Sequence, residues 1–311
     1  MNSHPALRIA TRGSRLALWQ AEHVRAQLLA HDPSLRVELV IIKTLGDKIL
    51  DTPLAKIGGK GLFIKELEHA LIEGTADLAV HSMKDVPVEI PATLSIAAVL
   101  AREDPRDCLV AQRYHEFATL PVNARLGTSS LRRRSQLAAR RGDLAFNDLR
   151  GNVTTRLAKL TNGEFDGIVL AAAGLIRLGL ADQITDYFAP SELLPAVGQG
   201  IIGIECRRDD HRTVALVTAL EDRDARDALE AERALNATLQ GGCQVPIAGH
   251  ATLHGEVLTL EGLVASIDGA TIVRASRTSK RSDAAALGTA VGQALLAAGA
   301  DRILAELATL G

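Results

Sequence analysis

Along the first two-thirds of the chain, short β-branched runs alternate with stretches of helical periodicity, and that alternation narrows the choice of fold most. Strands separated by helices gather into parallel or mixed sheets with the helices packed on their faces. The runs fall at 7–11, 37–42, 77–81, 94–99, 108–111, 167–171 and 201–205. Between them, apolar residues at three- and four-residue spacing predict helices over 15–31, 62–72 and 131–141. Ser14 and Ser130 stand where N-caps belong. Two segments read as crossings between lobes, Ala101-Arg102-Glu103-Asp104-Pro105-Arg106-Asp107 and Leu194-Pro195-Ala196-Val197-Gly198-Gln199-Gly200. The expected architecture is two α/β lobes joined by a pair of hinges, with a cleft between them. From about residue 222 the pattern changes to a helix over 228–239, strands at 247–253, 257–266 and 271–276, and a helix over 283–298. That order predicts a small C-terminal α+β domain. The domains would comprise 1–100 with 200–218, then 101–199, then 219–311.

With 311 residues, 47% hydrophobic and 23% charged, the chain can bury cores for two or three domains. Cys108, Cys206 and Cys243 are too few and too far apart for a secreted disulfide framework, which points to a reducing compartment. Residues 1–11 hold no apolar run of signal-peptide length, and no uncharged stretch is long enough to span a membrane. A cytoplasmic protein without a membrane partner is expected.

The net charge of −2 hides an arginine-rich tract, with Arg132, Arg133, Arg134, Arg140, Arg141, Arg150 and Arg156 against few acids. A nucleic-acid patch, a solvated helix face and a small polyanionic ligand are the three explanations. An aromatic content of 3% argues against stacked bases, and a pI near 6.5 argues against binding a phosphate backbone. No nucleic-acid partner is expected.

Three strand-to-helix turns pair a cation with a hydroxyl: Thr11-Arg12-Gly13-Ser14, Gly127-Thr128-Ser129-Ser130-Leu131-Arg132-Arg133, and Leu149-Arg150-Gly151-Asn152-Val153-Thr154-Thr155-Arg156. Helix N-termini attract anions, and the arginine fork grips a carboxylate through two parallel hydrogen bonds. Arginines in a first helical turn oppose the helix dipole, so a bound anion would account for Arg132 and Arg133. A ligand with several carboxylates or phosphates is expected. Ala79-Val80-His81-Ser82-Met83-Lys84-Asp85-Val86-Pro87 sets polar groups just past an apolar strand, where ligands bind in open α/β sheets. It is either an exposed turn or a site whose carboxylate acts as acid, base or cation stabiliser. Ala55-Lys56-Ile57-Gly58-Gly59-Lys60-Gly61 is either a cationic lid or a surface loop, and it lacks the phosphate-loop ending. Gly198-Gln199-Gly200-Ile201-Ile202-Gly203 matches the dinucleotide fingerprint in letters only, since no strand precedes it. A hinge suits it better. His250 and His254 lie on a strand-like segment and would not share a helix face, so no metal is expected.

Gly241-Gly242-Cys243-Gln244-Val245-Pro246 places one thiol on a loop shaped by glycines before it and a stiff exit after it. Cys243 is a buried core residue, a nucleophile or a covalent anchor. Cys108 and Cys206 sit within apolar strands and read as core.

Taken together, these motifs resemble the porphobilinogen deaminase family, also called hydroxymethylbilane synthases, over nearly the whole chain. The resemblance rests on Ile9-Ala10-Thr11-Arg12, Lys60-Gly61-Leu62-Phe63, the 80–87 segment, 102–107, 127–133, 149–152, 194–200 and 241–246, which occur in family order. It implies two lobes similar to periplasmic binding proteins, a hinged cleft and a small third domain. It also implies a monomer. The implied activity is a transferase of tetrapyrrole and haem biosynthesis. Such an enzyme deaminates four molecules of porphobilinogen, joins them head-to-tail on a covalent dipyrromethane, and releases hydroxymethylbilane by hydrolysis. The resemblance places the dipyrromethane thioether on Cys243 and the catalytic aspartate on Asp85. It assigns cofactor or substrate contacts to Arg12, Arg132, Arg133, Arg150, Arg156 and Arg177. Lys60, Lys84, Ser14, Ser82, Thr128, Ser129 and Gln199 fall at positions of similar role, and Phe63 matches an aromatic near the cofactor. Arg15 departs from a proline common in relatives, and Arg134 extends the arginine pair without an assigned contact.

Two other classes share some of these features. A non-catalytic anion sensor would use the same cations and hinges but leaves Cys243 and the third domain unexplained. A cysteine-nucleophile hydrolase would need a histidine in a partnering motif, and none is evident.

Overall fold

The computed structural model of the protein describes residues 6–48, 61, 64–241 and 245–309. Strands follow the chain as β1 (Leu7–Arg12), β2 (Val37–Ile42), β3 (Leu78–Ser82), β4 (Leu94–Val99) and β5 (Asp107–Val110). Next come β6 (Arg125–Gly127), β7 (Ala145–Asn147), β8 (Gly167–Ala171), β9 (Asp186–Tyr187) and β10 (Ile202–Arg207). The last three are β11 (Ile247–His254), β12 (Val257–Ala265) and β13 (Ile272–Lys280). The chain divides into two compact units. The first runs to Arg102 and resumes at Ile201–Arg226, whereas the second holds Glu103–Gly200 and Asp227–Gly311.

The sheet of the first unit has the order β2-β1-β3-β10-β4, and that of the second β7-β6-β8-β5-β9. In the first, β1 lies parallel to β2 and β3, while β10 runs antiparallel to β3 and β4. In the second, β6 lies parallel to β7 and β8, while β5 runs antiparallel to β8 and β9. Each antiparallel strand is the first that the chain forms after a crossing. The fold is mixed α/β with two such sheets and a small C-terminal domain. Helices on both faces make the central strands continuously apolar. Leu78 and Val80 of β3 join one core with Ile9, Val24 and Leu28, whereas Ala79 faces Leu67 and Leu71 on the other side.

The helix Arg15–His31 is capped by Ser14, whose Oγ accepts from the Ala17 N–H at 3.3 Å. Ser130 does the same for Leu131–Arg140, accepting from the Arg133 N–H at 3.4 Å. The expected helix over 228–239 begins earlier, at Arg223–Thr238, because Asp222 Oδ1 accepts from the Ala225 N–H and supplies a cap. Strands β6, β7 and β9 span only two or three residues, too short to show an alternating pattern. The predicted helix over 283–298 is Ala284–Leu295, followed by a wide turn in which Gly299 takes φ 102° and starts a further helix, Asp301–Thr309.

In the C-terminal domain, β11-β12-β13 form an antiparallel sheet. The helix Ala284–Leu295 packs closely on Arg223–Thr238 through Gly288 and Gly292. A Cβ at Gly288 would lie 2.2 Å from the Ala231 carbonyl oxygen, and one at Gly292 would lie 2.6 Å from Thr238 Cβ. Among the described residues, no helix is long and apolar enough to cross a membrane.

Candidate active site

In the first unit the expected residues gather at the carboxyl ends of β1 and β3, neighbouring parallel strands. Arg12 ends β1 and Ser14 follows it, and both are half-buried. Thr11 is fully buried, and its hydroxyl donates to the Ala17 carbonyl at 3.1 Å. After β3 the chain makes a single tight turn, Met83–Asp85. Met83 anchors it, being 1% exposed with its N–H on the Ile201 carbonyl at 2.9 Å. Gly203 makes room for that side chain, since a Cβ there would fall 2.1 Å from Met83 Sδ. Ser82 Oγ accepts from Gln20 Nε2 at 2.8 Å. Lys84 is half-buried, and Asp85 projects into solvent. The turn is thus fixed at its root, and its carboxylate is left available.

Beneath this turn lies a buried titratable group. His81 Nε2 is 2.8 Å from Glu205 Oε2, with the two side chains 4% and 0% exposed. Glu68, on the helix Lys65–Ile72, is buried in the same unit. Burial, and next the charge of Glu205, push the Glu68 carboxyl above its ordinary range.

In the second unit, the cation-bearing turns follow β6, β7 and β8, three adjacent parallel strands. Thr128 is buried, and its Oγ1 accepts from the Ser130 N–H at 3.2 Å. Ser129 Oγ donates to the Leu149 carbonyl and accepts from the Leu149 N–H, both at 3.0 Å, which joins the β6 turn to the β7 turn. Arg150 and Arg156 are half-buried, and Arg156 Nε donates to the Gly151 carbonyl at 2.8 Å. Gly151 has φ 106°, a backbone state that glycine adopts without strain. Arg177, on the helix after β8, is buried and donates from Nη2 to the Gly200 carbonyl at 2.7 Å. Burial lowers its guanidinium to about 10.

Part of the anionic charge that Arg132 and Arg133 call for in a first helical turn comes from the protein itself, as Asp107. Arg132 Nη1 lies 2.8 Å from Asp107 Oδ2, and Arg133 Nη2 lies 2.7 Å from Oδ1. Gln199, 1% exposed, donates from Nε2 to Asp107 Oδ1 at 3.1 Å and to the Pro105 carbonyl at 2.6 Å. Burial alone would raise the Asp107 carboxyl, but the charges of Arg132 and Arg133 outweigh it and hold it at about 2. Arg134 is exposed.

Gly198 and Gly200 take φ 70° and 88°, left-handed values that explain the glycines flanking Gln199. Cys108 and Cys206 are fully buried, and burial pushes both thiols up to about 12. They are core, as expected. His250 lies on β11 with Nδ1 3.6 Å from Glu232 Oε1. Lys60, Phe63 and Cys243 lie outside the described residues. Gly241, which leads to Cys243, packs so closely that a Cβ would fall 2.0 Å from Asn236 Oδ1.

Sequence reasoning misses the parts played by Asp107, Glu205, Gln20 and Gln136. A signal exists for the first two, each a carboxylate inside an apolar strand, which is costly to bury without partners. Nothing in the sequence points to the glutamines.

Comparison with known proteins gives a consistent result. A family model described as porphobilinogen deaminase, dipyromethane cofactor binding domain, matches residues 7–215. One described as porphobilinogen deaminase, C-terminal domain, matches residues 227–297. A porphobilinogen deaminase of Syntrophotalea carbinolica is 55% identical over 305 residues, covering 98% of this chain and 97% of that protein. One of Syntrophobacter fumaroxidans is 55% identical over 301 residues, covering 97% of each. Among solved structures, a periplasmic substrate-binding protein of an ABC transporter from Coxiella burnetii has a TM-score of 0.42 at 15% identity, over 69% of this chain and 91% of that one.

Proposed function

The chain belongs to the porphobilinogen deaminase family, and from that premise we propose that Asp85 is its catalytic carboxylate and Cys243 the attachment point of its dipyrromethane. The activity is that of a transferase in tetrapyrrole synthesis. It joins four porphobilinogen molecules head-to-tail on the covalent dipyrromethane and releases hydroxymethylbilane by hydrolysis.

Porphobilinogen bears an acetate and a propionate on its pyrrole ring, so each ring brings two negative charges to the site. The donor set suits such a group. Arg132 has Nε and Nη2 with no acceptor among the described residues, although Nη1 is fully engaged. Thr128, Ser129, Arg133, Arg150, Arg156 and Arg177 follow the ends of adjacent strands in the second unit, with Gln199 on the crossing segment bonded to Asp107, and Arg12, Ser14, Ser82 and Lys84 lie at those in the first. Lys60 and Phe63 are assigned contacts with the same ligand. Each charge-assisted hydrogen bond is worth roughly 1.5–3 kcal/mol net, so a few of them retain a highly charged chain through successive additions. When bound, the dipyrromethane supplies the nucleophilic pyrrole carbon from which growth begins.

As ammonia leaves porphobilinogen, positive charge develops on the pyrrole nitrogen. Asp85, projecting from an anchored turn, accepts the pyrrole N–H and stabilises that charge. A fixed carboxylate does this without reorganising during the step. Lys84 and Ser82 orient the acidic side chains of the incoming ring. The enzyme works as a cytoplasmic monomer of three domains.

The observation that carries this reading is the exposed Asp85 on a turn rooted by Met83 and Gly203, in a chain matched to the family along nearly its full length. Intact-mass measurement of the purified holoenzyme tests it. The unsubstituted protein gains the mass of two pyrrole units, and Cys243→Ser gains none and forms no hydroxymethylbilane. A Cys243→Ser enzyme of undiminished activity would reject it.

A further inference from the structure

We infer that Asp107 is the positioning residue of the anion site, the carboxylate that pins Arg133 and Gln199 and holds Arg132 so that its remaining donors face the carboxylates of the ligand. The inference rests on the assignment of those three residues to ligand binding.

Asp107 opens β5, is 0% exposed, and sits in a strand that is otherwise Cys108, Leu109 and Val110. A carboxylate in such a place is retained only with several strong partners. Its two oxygens divide them unequally. Oδ1 accepts from Arg133 Nε at 2.9 Å, Arg133 Nη2 at 2.7 Å and Gln199 Nε2 at 3.1 Å, whereas Oδ2 meets Arg132 Nη1 at 2.8 Å. The carboxylate therefore directs the Arg133 fork through two hydrogen bonds and holds Arg132 beside it by charge.

Charge counting separates this role from that of a simple brace. A brace in a buried core needs one cation for one carboxylate, and a second buried guanidinium would cost desolvation without return. Here two guanidiniums, 6% and 7% exposed, share one carboxylate. One positive charge is left unanswered by Asp107, on a site where Arg132 keeps Nε and Nη2 without an acceptor among the described residues. An anionic ligand would supply the missing charge.

The same carboxylate connects the site to the 194–200 segment. Arg132 Nη1 also donates to the Leu194 carbonyl at 2.7 Å, Gln136 holds that residue through its carbonyl at 3.2 Å and its N–H at 2.8 Å, and Gln199 belongs to the segment itself. Arg177 holds its end at Gly200. Orientation of the forks is thus coupled to the segment that leads out of the unit.

Asp107→Asn tests the inference, because the amide keeps an acceptor for Arg133 but turns a donor toward Arg132. In the full-length holoenzyme, assayed well below its melting temperature, the KM for porphobilinogen should rise about tenfold or more, as expected for loss of one charge-assisted contact. The fraction of molecules carrying the covalent adduct, read by intact mass, should fall, and kcat of the adduct-bearing molecules should stay within about threefold. A residue that only braced the fold would lower the melting temperature and leave KM unchanged, and that result would overturn the inference. Should Asp107→Asn fail to fold, Asp107→Glu retains the charge while displacing both forks by one methylene, and an unchanged KM there is equally adverse. Arg132→Lys separates the two levels. An unaltered KM in Arg132→Lys rejects the ligand assignment itself, whereas a raised KM in Arg132→Lys with a normal one in Asp107→Asn rejects only the role of Asp107.

Discussion

Asp85 in the first unit projects into solvent from a buried turn, whereas Asp107 in the second is enclosed between two arginines and a glutamine. The two residues are chemically identical, and their surroundings give them different work. The paired guanidiniums outweigh burial and hold the Asp107 carboxyl at about 2, with both oxygens engaged by partners inside the protein. Exposure leaves the Asp85 carboxylate available for the role proposed for it, meeting a charge that exists only during reaction. A carboxylate that organises a site needs partners, and one that acts on substrate must not already have them.

The largest effect expected from breaking this contrast is on stability at Asp107. Removing one member of a buried ion pair leaves the others uncompensated and costs about 3–5 kcal/mol, so Asp107→Asn should show a much lower denaturant midpoint. The pH dependence has a definite sign. The folded carboxyl is depressed from an ordinary value of 3.8 to about 2, so its contribution is complete above about pH 4 and is lost as the pH falls through 2. Acid titration of the unsubstituted protein should include this slope, and that of Asp107→Asn should lack it. Parallel acid titrations would show Asp107 to be uncoupled from folding.

Next in size is Asp85→Asn, which keeps shape and removes charge. Loss of one preorganised electrostatic stabiliser typically costs about 10²–10³ in kcat, or roughly 2.7–4 kcal/mol. Since the side chain is exposed, the melting temperature should hardly move. A near-normal kcat would remove Asp85 from its assigned role.

Local chemistry decides which features of the fold and site are legible in the sequence. Residues 37–42 and 94–99 are strands because branched and apolar residues fill both with no glycine or proline. The caps at Ser14 and Ser130 follow from a hydroxyl placed just ahead of a helical period. Cation-and-hydroxyl turns at the ends of β1, β6 and β7 are legible for the same reason. The pairing of Arg133 with Asp107, 26 residues away, is not legible, nor is Gln199 with Asp107 across 92 residues or His81 with Glu205 across 124. Periodicity reports which face of an element is apolar, but which strands become neighbours is decided by the crossings. A carboxylate within an apolar strand, as at Asp107 and Glu205, is the local hint that a partner has to exist.

Gly203 gives a smaller effect that bears on how firmly the Asp85 turn is rooted. Gly203→Ala would set a Cβ 2.1 Å from Met83 Sδ, and Met83 is too enclosed to swing aside. Overpacking of this kind costs about 1–3 kcal/mol, here borne by the turn that carries Lys84 and Asp85. Kinetics should show a fall in kcat exceeding any rise in KM, because the carboxylate rather than the arginine cluster is displaced. Equal changes in both would indicate a general loosening of the first unit.

The smallest effect concerns Glu68, a buried acid whose carboxyl is raised. Burial and the nearby Glu205 raise its carboxyl, while His81, His69 and Lys65 pull the other way with less weight. A raised folded value means that the native state holds the proton more tightly than the unfolded chain. The stabilisation is therefore complete below about pH 4 and is lost as the pH climbs through the folded value. Glu68→Gln mimics the protonated acid at every pH. Its melting temperature should match that of the unsubstituted protein in acid and exceed it near pH 8, by no more than about 4 °C. A difference that stays constant with pH would show that packing, rather than ionisation, sets the energetics at this position, and that the strain between Glu68 and Glu205 is already relieved within the first unit.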